Sequence, residues 1–349
     1  MAKSFNDYKN SEELETLKQE FLLGKKPQGC ERCWKDESAG LPSKRVLDNQ
    51  YIFNDSPALD EYLVISMPFG NTCNLACRIC SSYASSRWAQ ENRKLLAYFP
   101  NIPIYNHQRY YRDSQFMNSV KSITKSVRHI EFPGGEPFLA GKEQHLDFLD
   151  HLVSHNASNI SLHYITNGTQ MPSSEFIQRW SQFKKVDIQV SIDGTHNIFE
   201  YNRWPAKWED VYMNVKYFND GLRSVLPNLQ ISISHSVSVF TIWNLQEFVE
   251  WCRKENLPDP YLGLVSRPSH YSITILPDSA KEEIAKRLID PSLEAIKTAL
   301  WAPSNLESLD TMMRYVKILD KHRYQSFPDT FPELYQLMGE KCQTLYQLY

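Results

Sequence analysis

Residues 73–80 read CNLACRIC and set Cys73, Cys77 and Cys80 at C-x3-C-x2-C spacing. Thiolates select soft metals, above all zinc and iron–sulfur clusters. A structural zinc site closes on four ligands, and no fourth candidate stands beside these three. In a 4Fe–4S cube a Cys thiolate normally holds each iron. Three cysteines in one loop therefore suit a cube with one iron left open to a non-protein ligand. The other four cysteines are Cys30 and Cys33 in CERC, and the isolated Cys252 and Cys342. An odd, clustered count fits metal binding or catalysis better than a disulfide scaffold.

The elements that must position these residues follow a simple rhythm. Strand-like runs occur at YLVISMP (62–68), VRHIEFPGG (127–135), SLHYITNG (161–168), VDIQVSIDG (186–194), LQISISHSVSV (229–239) and YLGLVS (261–266). Helix-like stretches such as HLDFLDHLVSH and NLQEFVEWCRK lie between them. Strand–helix–strand alternation means a parallel sheet with right-handed crossovers. About six such units predict an α/β fold, a partial (β/α)6 barrel of TIM type. CNLACRIC follows the first strand, GGEP the second, NGT the third and DGTH the fourth. Loops after the strands of a parallel barrel open onto one face, where active sites sit.

The flanks read as extensions, giving sections 1–58, 59–270 and 271–349. Ser11 followed by Glu12 and Glu13 predicts a helix start, because acids suit the positive helix end. Leu14, Leu17, Phe21 and Leu22 share one face of that helix, and Gly24 and Pro27 stop it. Residues 30–45 read as a loop. YSITILP (271–277) reads as a short strand, and Ser279 with Glu282 as a capping box. Pro291 and the stretch Leu293–Trp301 predict a further helix, and the aromatic tail from FPDTFPEL onward is helical in pattern. Tyr105–Tyr111, YNHQRYY, falls in a long insertion between the first two strands and reads as a lid or a solvent-facing loop.

With 38 basic and 41 acidic residues and a net charge of -3, the chain lacks the footprint of a general nucleic-acid binder. No run of about 18 apolar residues suggests a membrane span. The polar start lacks the apolar segment of a signal peptide. A cytoplasmic setting follows, where thiols stay reduced.

The cysteine loop after strand one, with PGGEP (Pro133–Pro137), resembles the radical S-adenosylmethionine superfamily across residues 60–265. The wider pattern is similar to its twitch (SPASM-like) members: CERCW through SKR, then FGNTCNLACRIC, then a tail reading FPEL. The resemblance implies a 4Fe–4S cluster on Cys73, Cys77 and Cys80, with S-adenosylmethionine as the second cofactor. It implies that Gly134 and Gly135 admit a close ligand and that Glu136 accepts from the methionine ammonium. ITNGT (165–169) and SIDG (191–194) resemble segments near the ribose and methionine carboxylate. Ser191, Asn167 and Asp193 are the candidates there, with Arg203 as a bidentate carboxylate clamp. Ile79 stands where the superfamily often has an aromatic residue against the adenine.

The resemblance further implies a low-potential electron donor, such as a flavodoxin or ferredoxin, and hydrogen abstraction from a substrate: a peptide or protein, a nucleotide or a sugar. Cys30 and Cys33 suit half of an auxiliary cluster, a redox pair, or two thiols without metal. A zinc site from Cys30, Cys33, Cys77 and Cys80 would span residues 34–76, far beyond the usual gap of about 15–20, and would leave Cys73 unused. Two rival readings are a non-enzymatic zinc or iron–sulfur module and a catalytically silent barrel that binds S-adenosylmethionine. Cys252 reads as a core thiol, and the histidines, His196 in the DGTH loop aside, read as structural.

Overall fold

The computed structural model describes residues 10–38, 40, 42–51, 62–106, 109–303 and 307–348. The section boundary at 58/59, the first nine residues and part of the Tyr105–Tyr111 insertion lie outside the described residues. Six strands form one sheet in sequential order: β1 (Val64–Ser66), β2 (His129–Phe132), β3 (Ser161–Thr166), β4 (Lys185–Ser191), β5 (Leu229–Val237) and β6 (Tyr261–Leu264). Every neighbouring pair is parallel. The six-unit partial barrel expected from the strand–helix rhythm is therefore the observed architecture.

The strands β2 to β5 alternate. Ile130, Phe132, Leu162, Tyr164, Val186, Ile188, Val190, Ile231 and Ile233 point to one face and are buried. They share a core with Phe148, Leu149, Phe176, Trp180, Val211 and Val215 of the crossover helices. The opposite, concave face carries polar residues: Glu131, His163, Asp187, Gln189, Ser191, Ser232, Ser234 and Ser236. Period two in a strand sends neighbours to opposite faces, so one sequence builds an apolar exterior under helices and a polar interior.

The flanks depart from the expectations in several places. Most of the described residues in 30–45 are helical and not a loop. A 3-10 turn, Gln28–Cys30, leads into the helix Glu31–Ser38, and a second helix spans Lys44–Tyr51. Glu31–Lys35 (2.9 Å) and Arg32–Asp36 (4.0 Å) pair at i,i+4, spacing that supports a helix. YSITILP is not a strand. It forms two 3-10 turns, Ser269–Tyr271 and Ile273–Ile275. Ser272 Oγ accepts from Thr274 N (3.3 Å), and Tyr271, Ile273 and Ile275 are buried in a second core. Local turn bonds and burial win over strand propensity here. The Ser279/Glu282 capping box is also absent: the helix Asp278–Arg287 starts earlier, behind Pro277, with no side-chain cap.

Other expectations hold. Ser11 Oγ caps the helix Glu12–Leu22 by accepting from Leu14 N (3.2 Å), although its apolar face is not buried. Pro291 opens the turn that leads into the helix Glu294–Leu300. The tail forms the helices Phe327–Thr330, Pro332–Leu337 and Gly339–Leu348. Cys252 is fully buried, as a core thiol would be. No helix among the described residues is long and apolar enough to cross a membrane.

Candidate active site

The cysteine loop leaves β1 and is held at almost every residue. Glu136 N donates to Thr72 O (2.7 Å) and Gly135 N to Gly70 O (3.2 Å). Ser86 Oγ accepts from Cys73 N (3.2 Å), and Ser85 Oγ donates to Leu75 O (2.5 Å). Trp88 Nε1 donates to Cys77 O (2.8 Å). Ala76 N and Arg78 N donate to Trp204 O and Asn202 O, both at 2.8 Å.

GGEP packs closely against the cysteine loop. A Cβ on Gly135 would lie 2.1 Å from Thr72 O, and one on Gly134, at φ 127, 2.7 Å from Gly70 O. The close approach that requires both glycines is therefore to the protein's own cysteine loop, one strand away.

Cys73, Cys77 and Cys80 are free thiols that keep some exposed surface while being densely enclosed. Burial pushes the Cys73 and Cys77 thiols up, and Cys80 up to about 11. Donors approach two of the sulfurs. Leu75 N lies 3.4 Å and Asn167 Nδ2 3.7 Å from Cys73 Sγ, and Arg203 Nη1 lies 4.0 Å from Cys77 Sγ. Among the described residues no three of His, Cys, Asp and Glu converge on a single-ion site. Among the described residues the four-thiol zinc site is therefore not assembled, and no third ligand joins Cys30 and Cys33. Cys342 is buried against Met313 Sδ (3.3 Å).

The other candidates gather beside the loop. Glu136 is 1 % exposed. Its carboxylate accepts from Thr166 Oγ1 (2.8 Å), Asn167 N (2.8 Å) and Phe138 N (3.4 Å). Burial nevertheless raises its carboxyl to about 7, against those hydrogen bonds. Asn167 Nδ2 also donates to Asn74 Oδ1 (3.0 Å). Asp193 pairs with Arg203 (2.9 Å) and accepts from Ser236 N (2.8 Å). Arg203 is thus committed to Asp193 on one side, with its buried Nε lacking a hydrogen-bond partner. Ser191 Oγ accepts from Ser234 Oγ (3.2 Å). His196, at φ 50, lies against the Trp208 ring (5.6 Å).

A cavity of about 1020 Å³ opens beside these groups, lined among others by Ile79, Gln189, Ser234, Ser236, Val265 and Arg267. The helix Glu31–Ser38 supplies part of its wall through Arg32 and Lys35. The sequence reading missed two features. One is the polar interior, where Asp187 accepts from His163 Nδ1 (2.7 Å) and Ser232 Oγ (3.0 Å). Its signal was present in the alternation of QISISHSV (230–237). The other is Arg78, between two of the cysteines. It is buried, paired with Asp320 (2.5 Å), and lies over the Tyr201 ring at 3.5 Å. No local pattern announces a partner 242 residues away.

The sequence model of the radical SAM superfamily matches residues 67–253. A cysteine-type anaerobic sulfatase-maturating enzyme of Clostridium novyi (strain NT) is 26% identical over 168 residues, 44% of this chain and 39% of that one. One of Clostridium perfringens (strain ATCC 13124) is 27% identical over 157 residues, covering 43% and 37%. The chain thus spans about two fifths of the length of these curated relatives. Among solved structures, native anSMEcpe with bound AdoMet superposes with a TM-score of 0.47 at 17% identity, covering 76% of this chain and 67% of that one.

Proposed function

This chain belongs to the radical S-adenosylmethionine superfamily, and we propose that it cleaves S-adenosylmethionine reductively and abstracts a hydrogen atom from a peptide or protein. The observation that carries the reading is the cysteine loop: three enclosed thiols on one clamped loop after the first strand of a parallel half-barrel. Burial resists their ionisation, and Arg203, the cation at Cys77, is already paired with Asp193. A positively charged iron–sulfur core would supply the missing charge, so Cys73, Cys77 and Cys80 fit as ligands of a 4Fe–4S cluster.

A cluster held by Cys73, Cys77 and Cys80 and reduced by an external low-potential donor would supply one electron to the sulfonium of S-adenosylmethionine, the chemistry that breaks its carbon–sulfur bond to methionine and leaves the adenosyl carbon able to take a substrate hydrogen. The protein's share is to hold, orient and shield. Gly134 and Gly135 let the cysteine loop lie flat on β2. Glu136 would accept from the methionine ammonium, and Arg203 and Ser191 would face its carboxylate. Asn167 and Asp193 fix that edge, and Ile79 would cover the adenine.

The polar cavity is the substrate's place. A protein or peptide substrate is supported by relatives named for maturing sulfatases. A low-potential donor such as a flavodoxin or ferredoxin would deliver the electron in the cytoplasm. Cys30 and Cys33 remain candidates for half of an auxiliary cluster.

The test is iron and sulfide per chain after anaerobic reconstitution, followed by dithionite and S-adenosylmethionine. About four irons, lost on Cys77→Ala, together with 5′-deoxyadenosine, are expected. A larger iron count that falls when Cys30 and Cys33 become alanine would place a second cluster on that pair. Absence of both iron and nucleoside overturns the reading.

A further inference from the structure

Arg203 meets Cys77 through backbone register. The two amides that flank Cys77, from Ala76 and Arg78, donate to the two carbonyls that flank Arg203, from Trp204 and Asn202. This short ladder joins the cysteine loop to the end of the helix His196–Asn202 and brings the two side chains face to face. Arg203 is 7% exposed and Asp193 1%. Nη2 of Arg203 lies 2.9 Å from Asp193 Oδ2, and Nη1 lies 4.0 Å from Cys77 Sγ. Asp193 is held in turn by Ser236 N on β5. A permanent cation thus stands between an acid and a sulfur in a water-poor setting, where charges act strongly on one another.

We propose that the Asp193–Arg203 pair sets the reduction potential of the cluster, Arg203 favouring its reduced form and Asp193 limiting that effect. The proposal rests on Cys73, Cys77 and Cys80 being the cluster's ligands. Reduction adds one electron, delivered by the external low-potential donor, and the cluster becomes more negative by one charge. A cation near a ligand sulfur stabilises that added charge, and an anion opposes it. Net charge and hydrogen bonds to the sulfurs are known levers on iron–sulfur potentials. The donors at Cys73, Leu75 N and Asn167 Nδ2, are neutral, so the charged pair is the stronger lever. Arg203 and Asp193 act here as positioning residues, through the sulfur and not on the substrate.

The experiment is a potentiometric titration of the full, reconstituted chain without S-adenosylmethionine, followed by electron paramagnetic resonance. Arg203→Gln should lower the midpoint potential. Arg203→Lys should fall between that variant and the wild type. Asp193→Asn, which keeps an acceptor for Ser236 N, should raise the potential. Shifts of opposite sign are the signature, since a role confined to bracing the loop has no reason to produce them. Unchanged potentials in fully loaded variants, or shifts of one sign, overturn the proposal. If Arg203→Gln loses iron, Asp193→Asn and Arg203→Lys decide alone. Iron retained in Cys77→Ala would instead sink the ligand assignment beneath it.

Discussion

Glu136 shows how one residue carries opposing demands. Its carboxylate has three local donors, yet burial raises it from 4.5 to about 7. Between those pH values the folded chain holds a proton that the unfolded chain has released. The native state binds more protons there, so stability falls as pH rises through the window and levels off above about 7. The shift caps the effect at roughly 3 kcal/mol. Urea unfolding of the metal-free protein at about pH 5 and about pH 8 should show the wild type losing stability relative to Glu136→Gln. A gap independent of pH would mean that Glu136 is ionised throughout. At Gly135 the argument is steric. A Cβ there meets Thr72 O at 2.1 Å, whereas at Gly263 the nearest atom is 3.7 Å away. Gly135→Ala should therefore lower reconstituted iron per chain by at least about half, and Gly263→Ala should leave it unchanged. Equal iron in both would show that the loop yields without cost.

At the scale of elements, the cysteine loop is bolted to the C-terminal helices. Arg78 pairs with Asp320 of the helix Ser308–Arg323 and donates to Tyr201 O (3.0 Å) and Gln325 Oε1 (3.0 Å). Asp320 also accepts from Phe327 N (2.7 Å) and Tyr346 Oη (3.0 Å). A second bolt, Arg323 to Glu91 (2.5 Å), ties the same helix to Ser86–Leu95, the helix after the loop. Removing one partner of a buried pair leaves an uncompensated charge, at a cost of about 3–5 kcal/mol. Arg78→Met should show that loss in urea unfolding, and Arg78→Met with Asp320→Asn should cost less than the sum of the two single variants. Strict additivity would mean that the pair does not couple loop to helix.

For the whole molecule, both extensions close what six strands leave open. Val237 at the end of β5 and Val239 and Phe240 just after it share a core with Ile284, Ile296, Met313 and Leu334 of the C-terminal helices. From the other side, Lys44 reaches Glu131 on the concave face of β2, and Glu31–Ser38 lines the cavity. The Lys44 side chain is 57% exposed, so the ion pair is worth at most about 1 kcal/mol. Lys44→Met should shift urea stability by no more than that. A larger loss would make the N-terminal extension a structural part of the barrel and not a cover over it.

The sequence alone determined the elements whose signal is local. Strand-like runs alternating with helical stretches marked the six strands, and cysteine spacing after the first strand marked the candidate metal loop, because both depend on neighbours along the chain. The same local reading misassigned 30–45 and 271–277. There, i,i+4 ion pairs, turn bonds at Ser272 and burial against distant helices outweigh intrinsic preference. Tertiary structure decided the rest: that Gly135 faces Thr72, that Arg203 faces Cys77 and Asp193, and that Arg78 finds Asp320. Those partners lie far apart along the chain. Their meeting depends on how sheet and helices pack, and no spacing rule encodes it.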